Sequence, residues 1–304
     1  MGDEAVIKTE GLTKSYGKVR ALRGVDLEVR QGEIFGFLGP NGAGKTTTIR
    51  CLLDMIRRDG GEARVLGLDP QKASVEVRRR VGYLPGDLRM DENLSVQGVL
   101  RYLNSLRGRK ADWDDVRRLA SRLDLDLKPA IKNLSKGNKQ KVGVVQALMH
   151  RPELLMLDEP TFGLDPLIQQ EVHRLLKESK DGGATVFFSS HILSEVQEVA
   201  ERVGIIRLGV VVEVADTASL INRALRRVRV SFKQPVDISG LRSVPRVQIL
   251  SQEPGSALLE IEGEIDDLVK ALAGYPLRDL ETERPSLEEV FLTYYAPAGK
   301  EAVQ

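Results

Sequence analysis

The sequence has one cysteine, Cys51, among 304 residues. That excludes an intramolecular disulfide framework and a cysteine-based zinc site. Cys51 falls in a segment that reads as a helix, so a buried core thiol is expected. Long apolar runs are also missing. No stretch approaches the ~18–20 consecutive apolar residues of a membrane-spanning helix, so any membrane role needs another polypeptide. The start, Met1-Gly2-Asp3-Glu4, is acidic and lacks the apolar core of a signal peptide, which predicts a cytoplasmic chain. Charge of one sign is lacking too: 45 Lys+Arg stand against 44 Asp+Glu, a formal net charge of +1. That balance gives no support to nucleic-acid or lipid binding through bulk charge. What remains, 41% apolar and 29% charged residues, suits a soluble globular protein long enough for more than one domain.

Glycine is placed where it matters most between Gly39 and Thr47. Gly39-Pro40-Asn41-Gly42-Ala43-Gly44-Lys45-Thr46-Thr47 fits the phosphate-binding loop G-x-x-x-x-G-K-[ST]. The unbroken apolar run Ile34 to Leu38 before it reads as a strand buried on both faces, and Thr46 to Ile56 after it as a helix. A triphosphate concentrates several negative charges in a small volume. Glycines let successive backbone N–H groups turn inward on phosphate oxygens, and the positive end of the following helix adds to that field. In this pattern Lys45 reaches the β- and γ-phosphates of ATP, the Thr46 hydroxyl binds Mg²⁺, and Thr47 adds a phosphate hydrogen bond. The alternative, a glycine turn with a chance lysine, leaves the flanking strand and helix unexplained.

Elsewhere the chain alternates short strands and helices. Ala5 to Thr9 and Val25 to Val29 read as strands punctuated by Gly11, Gly17 and Gly32. Tyr16 is expected on a loop, where an exposed aromatic can stack on a purine or simply pack at a turn. Ala63 to Leu66 and the segment ending at Leu84-Pro85 read as strands. From about Ser95 to Leu148 the apolar spacing is helical, with Val96, Val99, Leu100 and Leu103, then Val116, Leu119, Ala120 and Leu123. The charge runs Arg78 to Arg80 and Arg107 to Lys110 read as solvated faces.

A second set of reactive groups follows. Leu154 to Leu157 forms an apolar strand with Asp158 and Glu159 at its carboxyl end, where ligands collect in open parallel sheets. Asp158 is placed to hold Mg²⁺ and Glu159 to accept a proton from an attacking water. Thr185 to Ser189 reads as a neighbouring buried strand, and His191 just past it can donate to a γ-phosphate. His150 and His173 read as structural.

Together these pieces resemble an ATP-binding cassette (ABC) ATPase subunit over about residues 4–215. The resemblance implies an α/β P-loop NTPase fold with an antiparallel β subdomain and a helical subdomain at about residues 88–150. Leu134-Ser135-Lys136-Gly137-Asn138-Lys139-Gln140 takes the place of the family signature Leu-Ser-Gly-Gly-Gln, and Ser135 and Gly137 are implied to meet the ATP held by an opposite subunit. Gly163-Leu164-Asp165 resembles the loop that crosses the dimer interface. His191 matches the switch histidine, and Tyr16 the adenine-stacking aromatic. The implied unit is a head-to-tail dimer, a homodimer in the simplest case, that sandwiches two ATP molecules. It works with a separate integral membrane permease at the cytoplasmic face of the membrane, without nucleic acid.

Two departures stand out. Lys136 replaces the first signature glycine and Asn138 the glutamine, a variation similar to that of the exporting branch. Tyr83-Leu84-Pro85 is followed by Gly86-Asp87 where the family has a glutamine that touches Mg²⁺ and water; Asp87 either substitutes or is a solvated loop acid. Beyond about Asp216 the character changes. Val228 to Phe232, Val247 to Leu250 and Leu258 to Ile261 read as strands, and Ile265 to Leu272 and Arg284 to Leu292 as helices. Residues 216–304 resemble the small α+β tail of ABC-2 type drug exporters. An ATPase powering export of a drug, antibiotic or lipid-like compound is the implied function. The alternatives are an importer ATPase, a soluble ABC-type ATPase and a nucleotide-dependent regulator.

Overall fold

Two long antiparallel strands open the chain in this computed structural model, which describes residues 5–283 apart from 109–110, 224 and 263. β1 (Ala5–Tyr16) and β2 (Val19–Arg30) pair from Ala5↔Arg30 to Tyr16↔Val19. Both are longer than the expected strands. Gly11 does not end β1; the ladder shifts register between Thr9 and Leu12, and Gly11 takes a φ of 58°. A bulge of this kind absorbs an extra residue without breaking the pairing. Tyr16 therefore ends a strand at a hairpin turn instead of lying on a free loop.

β3 (Ile34–Leu38) and α1 (Lys45–Leu52) flank the glycine loop. The helix is shorter than the apolar spacing suggests, because Asp54 turns into the left-handed region with φ 49°. β4 (Gly60–Val65) then pairs with β1, which gives a three-stranded sheet in the order β2-β1-β4. α2 (Ser74–Arg80) leads into β5 (Val81–Leu84).

The helical stretch resolves into α3 (Val96–Leu106), α4 (Trp113–Arg122) and α5 (Lys136–Leu148). Each starts at a polar N-cap, Ser95, Asp112 and Ser135, whose side chain accepts a first-turn backbone N–H, as orphan donors at a helix start require. β6 (Leu154–Asp158), α6 (Pro166–Asp181), β7 (Thr185–Ser190), α7 (Leu193–Val199), β8 (Arg202–Arg207) and β9 (Val210–Asp216) complete this part.

The second sheet has the order β5-β6-β7-β3-β8-β9, with parallel pairing from β5 through β8. Its central strands β3, β6 and β7 are buried at every residue, which is why they read as continuous apolar runs. Ile7, Leu12 and Val25 from the first sheet share one core with Phe35, Phe37 and Phe187 from the second and Ile49 and Leu52 from α1. The order β6-β7-β3 brings three carboxyl ends side by side, and these ends and the loops that follow them carry Asp158, His191 and the phosphate loop.

The arginine runs are not simply solvated. Arg78 donates to the Leu53 carbonyl at 3.0 Å, and Arg80 makes a two-pronged pair with Glu153 at 2.9 and 2.6 Å. Arg107 donates to the carbonyls of Arg78 and Val81. These guanidinium groups close the ends of α1, α2 and β5, a use that charge pattern alone does not reveal. The second run is thus anchored at its first residue, Arg107; residues 109–110 lie outside the described residues.

The chain divides into two compact units, 1–215 and 216–304. The second begins with α8 (Thr217–Arg223) and β10 (Leu225–Phe232), followed by β11 (Val247–Glu253), β12 (Ser256–Glu262), α9 (Asp266–Leu272) and β13 (Leu277–Glu283). Its antiparallel sheet has the order β11-β12-β10-β13. Val228, Val230, Leu259 and Ile261 share a separate core with Leu268 and Leu272 of α9. The helix expected at Arg284 to Leu292 lies outside the described residues.

Candidate active site

The loop after β3 is shaped by contacts that forbid side chains. A Cβ on Gly39 would stand 2.6 Å from the Ile206 carbonyl oxygen, and Gly44 caps α1 with φ 116°. The Gly39 N–H donates to the Ser190 carbonyl of β7 at 3.2 Å, tying the loop to the neighbouring strand. Ala43 is buried and its N–H donates to the Pro40 carbonyl at 3.2 Å, closing the turn that contains Asn41 and Gly42.

Lys45 is only 5% exposed, and its ammonium lies inside the loop. Nζ donates to the carbonyls of Gly39 at 2.5 Å and Pro40 at 3.3 Å, and stands 3.3 Å from Glu159 Oε1. The Thr46 hydroxyl donates to Asp158 Oδ2 at 2.7 Å. Asp158, 1% exposed at the end of β6, also accepts from the Ser189 hydroxyl at 2.5 Å. A buried carboxylate needs such partners.

Glu159 adopts φ 53°, in the left-handed region that a β-carbon disfavours. Its N–H donates to the Ser189 carbonyl at 3.2 Å. This turn sends the carboxylate back over the phosphate loop. Oε2 then lies 2.7 Å from His191 Nδ1 while the other oxygen faces Lys45. Unfavourable backbone at a functional group is stored strain that the surroundings must hold. Here the support is visible: Gln140 of α5 donates to the Glu159 and Pro160 carbonyls at 2.9 and 3.1 Å. Glu195 of α7, also buried, accepts from the hydroxyls of Thr161 at 2.5 Å and Ser190 at 2.8 Å. The motifs do not single out Glu195, Gln140 and Ser189, because their roles depend on the strand order and on how α5 packs on the loop after Glu159.

A cavity of about 530 Å³ is lined by Pro40, Asn41, Gly42, Gly44, Lys45, Thr46 and Thr47 together with Gly86, Asp87, Asp158, Glu159, Phe162 and His191. Phosphate loop, acids and histidine therefore converge. A Cβ on Gly86 would meet Asp158 Oδ2 at 2.9 Å, so this backbone packs on the acid and leaves Asp87 to reach the cavity.

The remaining sequence candidates lie apart from this cavity. Tyr16 is 47% exposed at the end of β1. Ser135 caps α5 by accepting from the Asn138 N–H at 3.2 Å, and Asp165 caps α6 by accepting from the Ile168 N–H at 3.1 Å. Gly137 packs so closely that a Cβ would stand 2.8 Å from the Gly163 carbonyl oxygen. His150 and His173 are buried, as expected of structural histidines, with His173 Nδ1 3.2 Å from Glu198. Cys51 is buried, and desolvation pushes its thiol up to about 11.

The oxygen atoms of Thr46 and Asp158 suit a hard cation such as Mg²⁺, which takes few protein ligands. Among the described residues no group of three or more His, Cys, Asp or Glu could hold a metal ion. No helix among the described residues is long and apolar enough to cross a membrane.

Comparison with known proteins bears on the family. The family described as ABC transporter matches residues 22–162. The bacitracin transport ATP-binding protein BcrA of Bacillus licheniformis is 40% identical over 215 residues, 68% of this chain and 69% of that protein. The daunorubicin resistance ATP-binding protein DrrA3 of Streptomyces coeruleorubidus is 32% identical over 309 residues, 96% of each chain. Among solved structures, an ATP-binding subunit of an ABC transporter superposes with a TM-score of 0.65 at 28% identity, covering 71% of this chain and 91% of the other. The ATP-binding cassette MJ0796, a dimer bound to ADP and Pi, shares the fold with a TM-score of 0.61 at 22% identity, covering 69% and 98%. With a phosphate loop, a strand-end acid pair and a histidine gathered at the carboxyl ends of the central strands, and with a relative 32% identical along 96% of the chain, this chain belongs to the ATP-binding subunits of ABC transporters and is an ABC ATPase.

Proposed function

We propose that this chain binds and hydrolyses ATP as one half of a head-to-tail dimer, and that the cycle powers export of a drug, antibiotic or lipid-like compound through a separate membrane permease. The observation that carries the reading is the Glu159 carboxylate, 2.7 Å from His191 Nδ1 and 3.3 Å from Lys45 Nζ above the phosphate loop. The relatives named for bacitracin transport and for daunorubicin resistance support the export of such a cargo.

In this reading residues 1–215 are the nucleotide-binding domain, with a helical subdomain at about 88–150, and residues 216–304 an accessory domain. Lys45 exchanges its carbonyl partners for the β- and γ-phosphates. The loop from Gly39 to Thr47 wraps the phosphates and offers them its backbone N–H groups, apart from those of Gly39 and Ala43, which stay on the Ser190 and Pro40 carbonyls, and Tyr16 stacks on the adenine. Thr46 and Asp158 hold Mg²⁺, which when bound neutralises charge on the phosphates. The His191 Nδ1 contact fixes the Glu159 carboxylate, which accepts the proton of the attacking water. The far side of the His191 ring is left to face the γ-phosphate. Ser135 and Gly137 of a second subunit close over the same phosphate, and Asp165 meets that subunit at the interface. The working place is the cytoplasmic face of the membrane.

The test is a tagged pull-down from detergent-solubilised membranes, with co-purifying proteins identified by mass spectrometry and ATP turnover measured on the product. A stoichiometric polytopic membrane protein and steady-state ATPase activity are expected. Recovery with ribosomes, with DNA or alone would contradict the exporter reading.

A further inference from the structure

Lys136 and Phe162 make a contact that the proposed reaction does not use. Lys136 opens α5 beside Ser135, and its Nζ lies 4.2 Å from the centre of the Phe162 ring. Phe162 lines the phosphate cavity, and its ring centre stands 6.5 Å from that of His191, tilted by 55°. Phe162 is 42% exposed, so burial does not account for its placement. A lysine ammonium over an aromatic face is held by the ring quadrupole. The backbone around the pair has little slack: Gly137 packs on the Gly163 carbonyl, and Gln140 holds those of Glu159 and Pro160. The start of α5 and the loop after Glu159 are therefore packed as one piece.

We propose that Lys136 is a positioning residue for the active site of its own chain. Its ammonium holds Phe162 beside His191, and His191 in turn orients Glu159. The inference rests on the proposed dimer in one respect: the same turn of α5 offers Ser135 and Gly137 to the partner's ATP, so Lys136 joins the partner's nucleotide to the chain's own Glu159.

Mixed dimers separate this role from a contact with the partner's phosphate. In one arrangement Lys136→Met sits in one subunit and Glu159→Gln in the other, so the active site has lost its own lysine. In the other arrangement both changes are in the same subunit, and the active site has lost only the lysine that faces it. The first dimer is expected to lose about two- to fivefold in kcat at unchanged KM for ATP, the factor set by an exposed cation–π pair. The second should match the dimer carrying Glu159→Gln alone, and Lys136→Arg should restore the first. Loss in the second dimer only, or equally in both, would overturn the proposal.

The chain has three histidines, so the ring ¹H–¹⁵N signals of His191 are assignable by difference in the isolated chain. They should shift in Lys136→Met and Phe162→Leu and return in Lys136→Arg. If wild-type and Glu159→Gln subunits form no active dimer, the dimer reading fails by itself. In that case unmoved His191 signals in both variants would overturn the positioning role, and shifted signals would uphold it.

Discussion

The phosphate-loop half and the signature half of this cassette satisfy their polar groups in opposite ways. Lys45, Asp158, Glu159 and His191 are tied to one another or to neighbouring backbone inside one chain. Ser135 and Asp165, both exposed, commit their side-chain oxygens to the N–H groups of their own helices. In the proposed function the first half is a preorganised reaction centre, in which fixed dipoles and charges meet the substrate. The second is a pair of exposed, capped helix starts, whose hydroxyl and carboxylate meet only backbone N–H groups among the described contacts. The contrast is what the proposed shared site requires, in which each subunit would lend its outward, Ser135 half to the inward, Lys45 half of a partner.

The largest effect that would break the contrast falls on the inward half. Glu159→Gln should lower ATP turnover by about 10²–10⁴-fold, the usual contribution of a general base, while nucleotide binding survives in a fluorescent-ATP titration. Lys45→Ala should instead weaken that binding, because the phosphates lose the ammonium buried beneath them. Wild-type turnover in Glu159→Gln would remove this residue from the base role.

An intermediate effect is expected where the halves touch. Gly137→Ala places a Cβ 2.8 Å from the Gly163 carbonyl oxygen, and neither backbone can swing aside. Urea denaturation should show a loss of about 1–3 kcal/mol, the range for overpacked interiors. An unchanged midpoint would mean that α5 and the loop after Glu159 are not packed as one piece.

On the outward half the expected effects on stability are smaller, and stability and turnover separate. Ser135→Ala should cost about 1 kcal/mol through the lost cap. Ser135→Asp keeps a capping oxygen and so should keep the melting temperature, yet it should abolish turnover, since a carboxylate repels the γ-phosphate it is expected to face. Equal turnover in wild type and Ser135→Asp would confine Ser135 to capping.

The smallest effect concerns Cys51. Burial raises its thiol from 9.0 to about 11, so folding favours the protonated form. Its contribution to stability is full below pH 9.0 and is lost as pH rises toward about 11. Native protein should resist iodoacetamide at pH 8 and react after unfolding in urea.

Much of the inward half was legible in the sequence because it is local. A strand, a short glycine loop and a helix start follow one another along the chain, and an apolar strand ending in Asp158-Glu159 announces its own carboxyl end. His191 was legible only through its place after a second apolar strand. What could not be read depends on strand order. Ser189 meets Asp158, and Glu195 gathers Thr161 and Ser190, because β7 lies between β6 and β3. The left-handed turn at Glu159 has no sequence marker, since glutamate is not a residue that favours it. Gly11 misled in the opposite direction: it looked like a strand end and is a bulge inside β1. Tyr16 was displaced from loop to strand end by the same lengthened pairing. Arg78, Arg80 and Arg107 looked like surface charge, yet they bind carbonyls and a carboxylate that are remote in sequence.

The claim that each subunit completes its partner's site is tested most directly by complementation between two inactive variants. Lys45→Ala disables the inward half, and Ser135→Asp the outward half, so each homodimer has two broken sites. Mixing them builds one intact composite site from the Lys45 of one chain and the Ser135 of the other. The mixture is expected to recover ATPase activity to about a quarter of wild type, half the dimers being mixed and each carrying one of two sites. Activity no greater than that of either variant alone would contradict it.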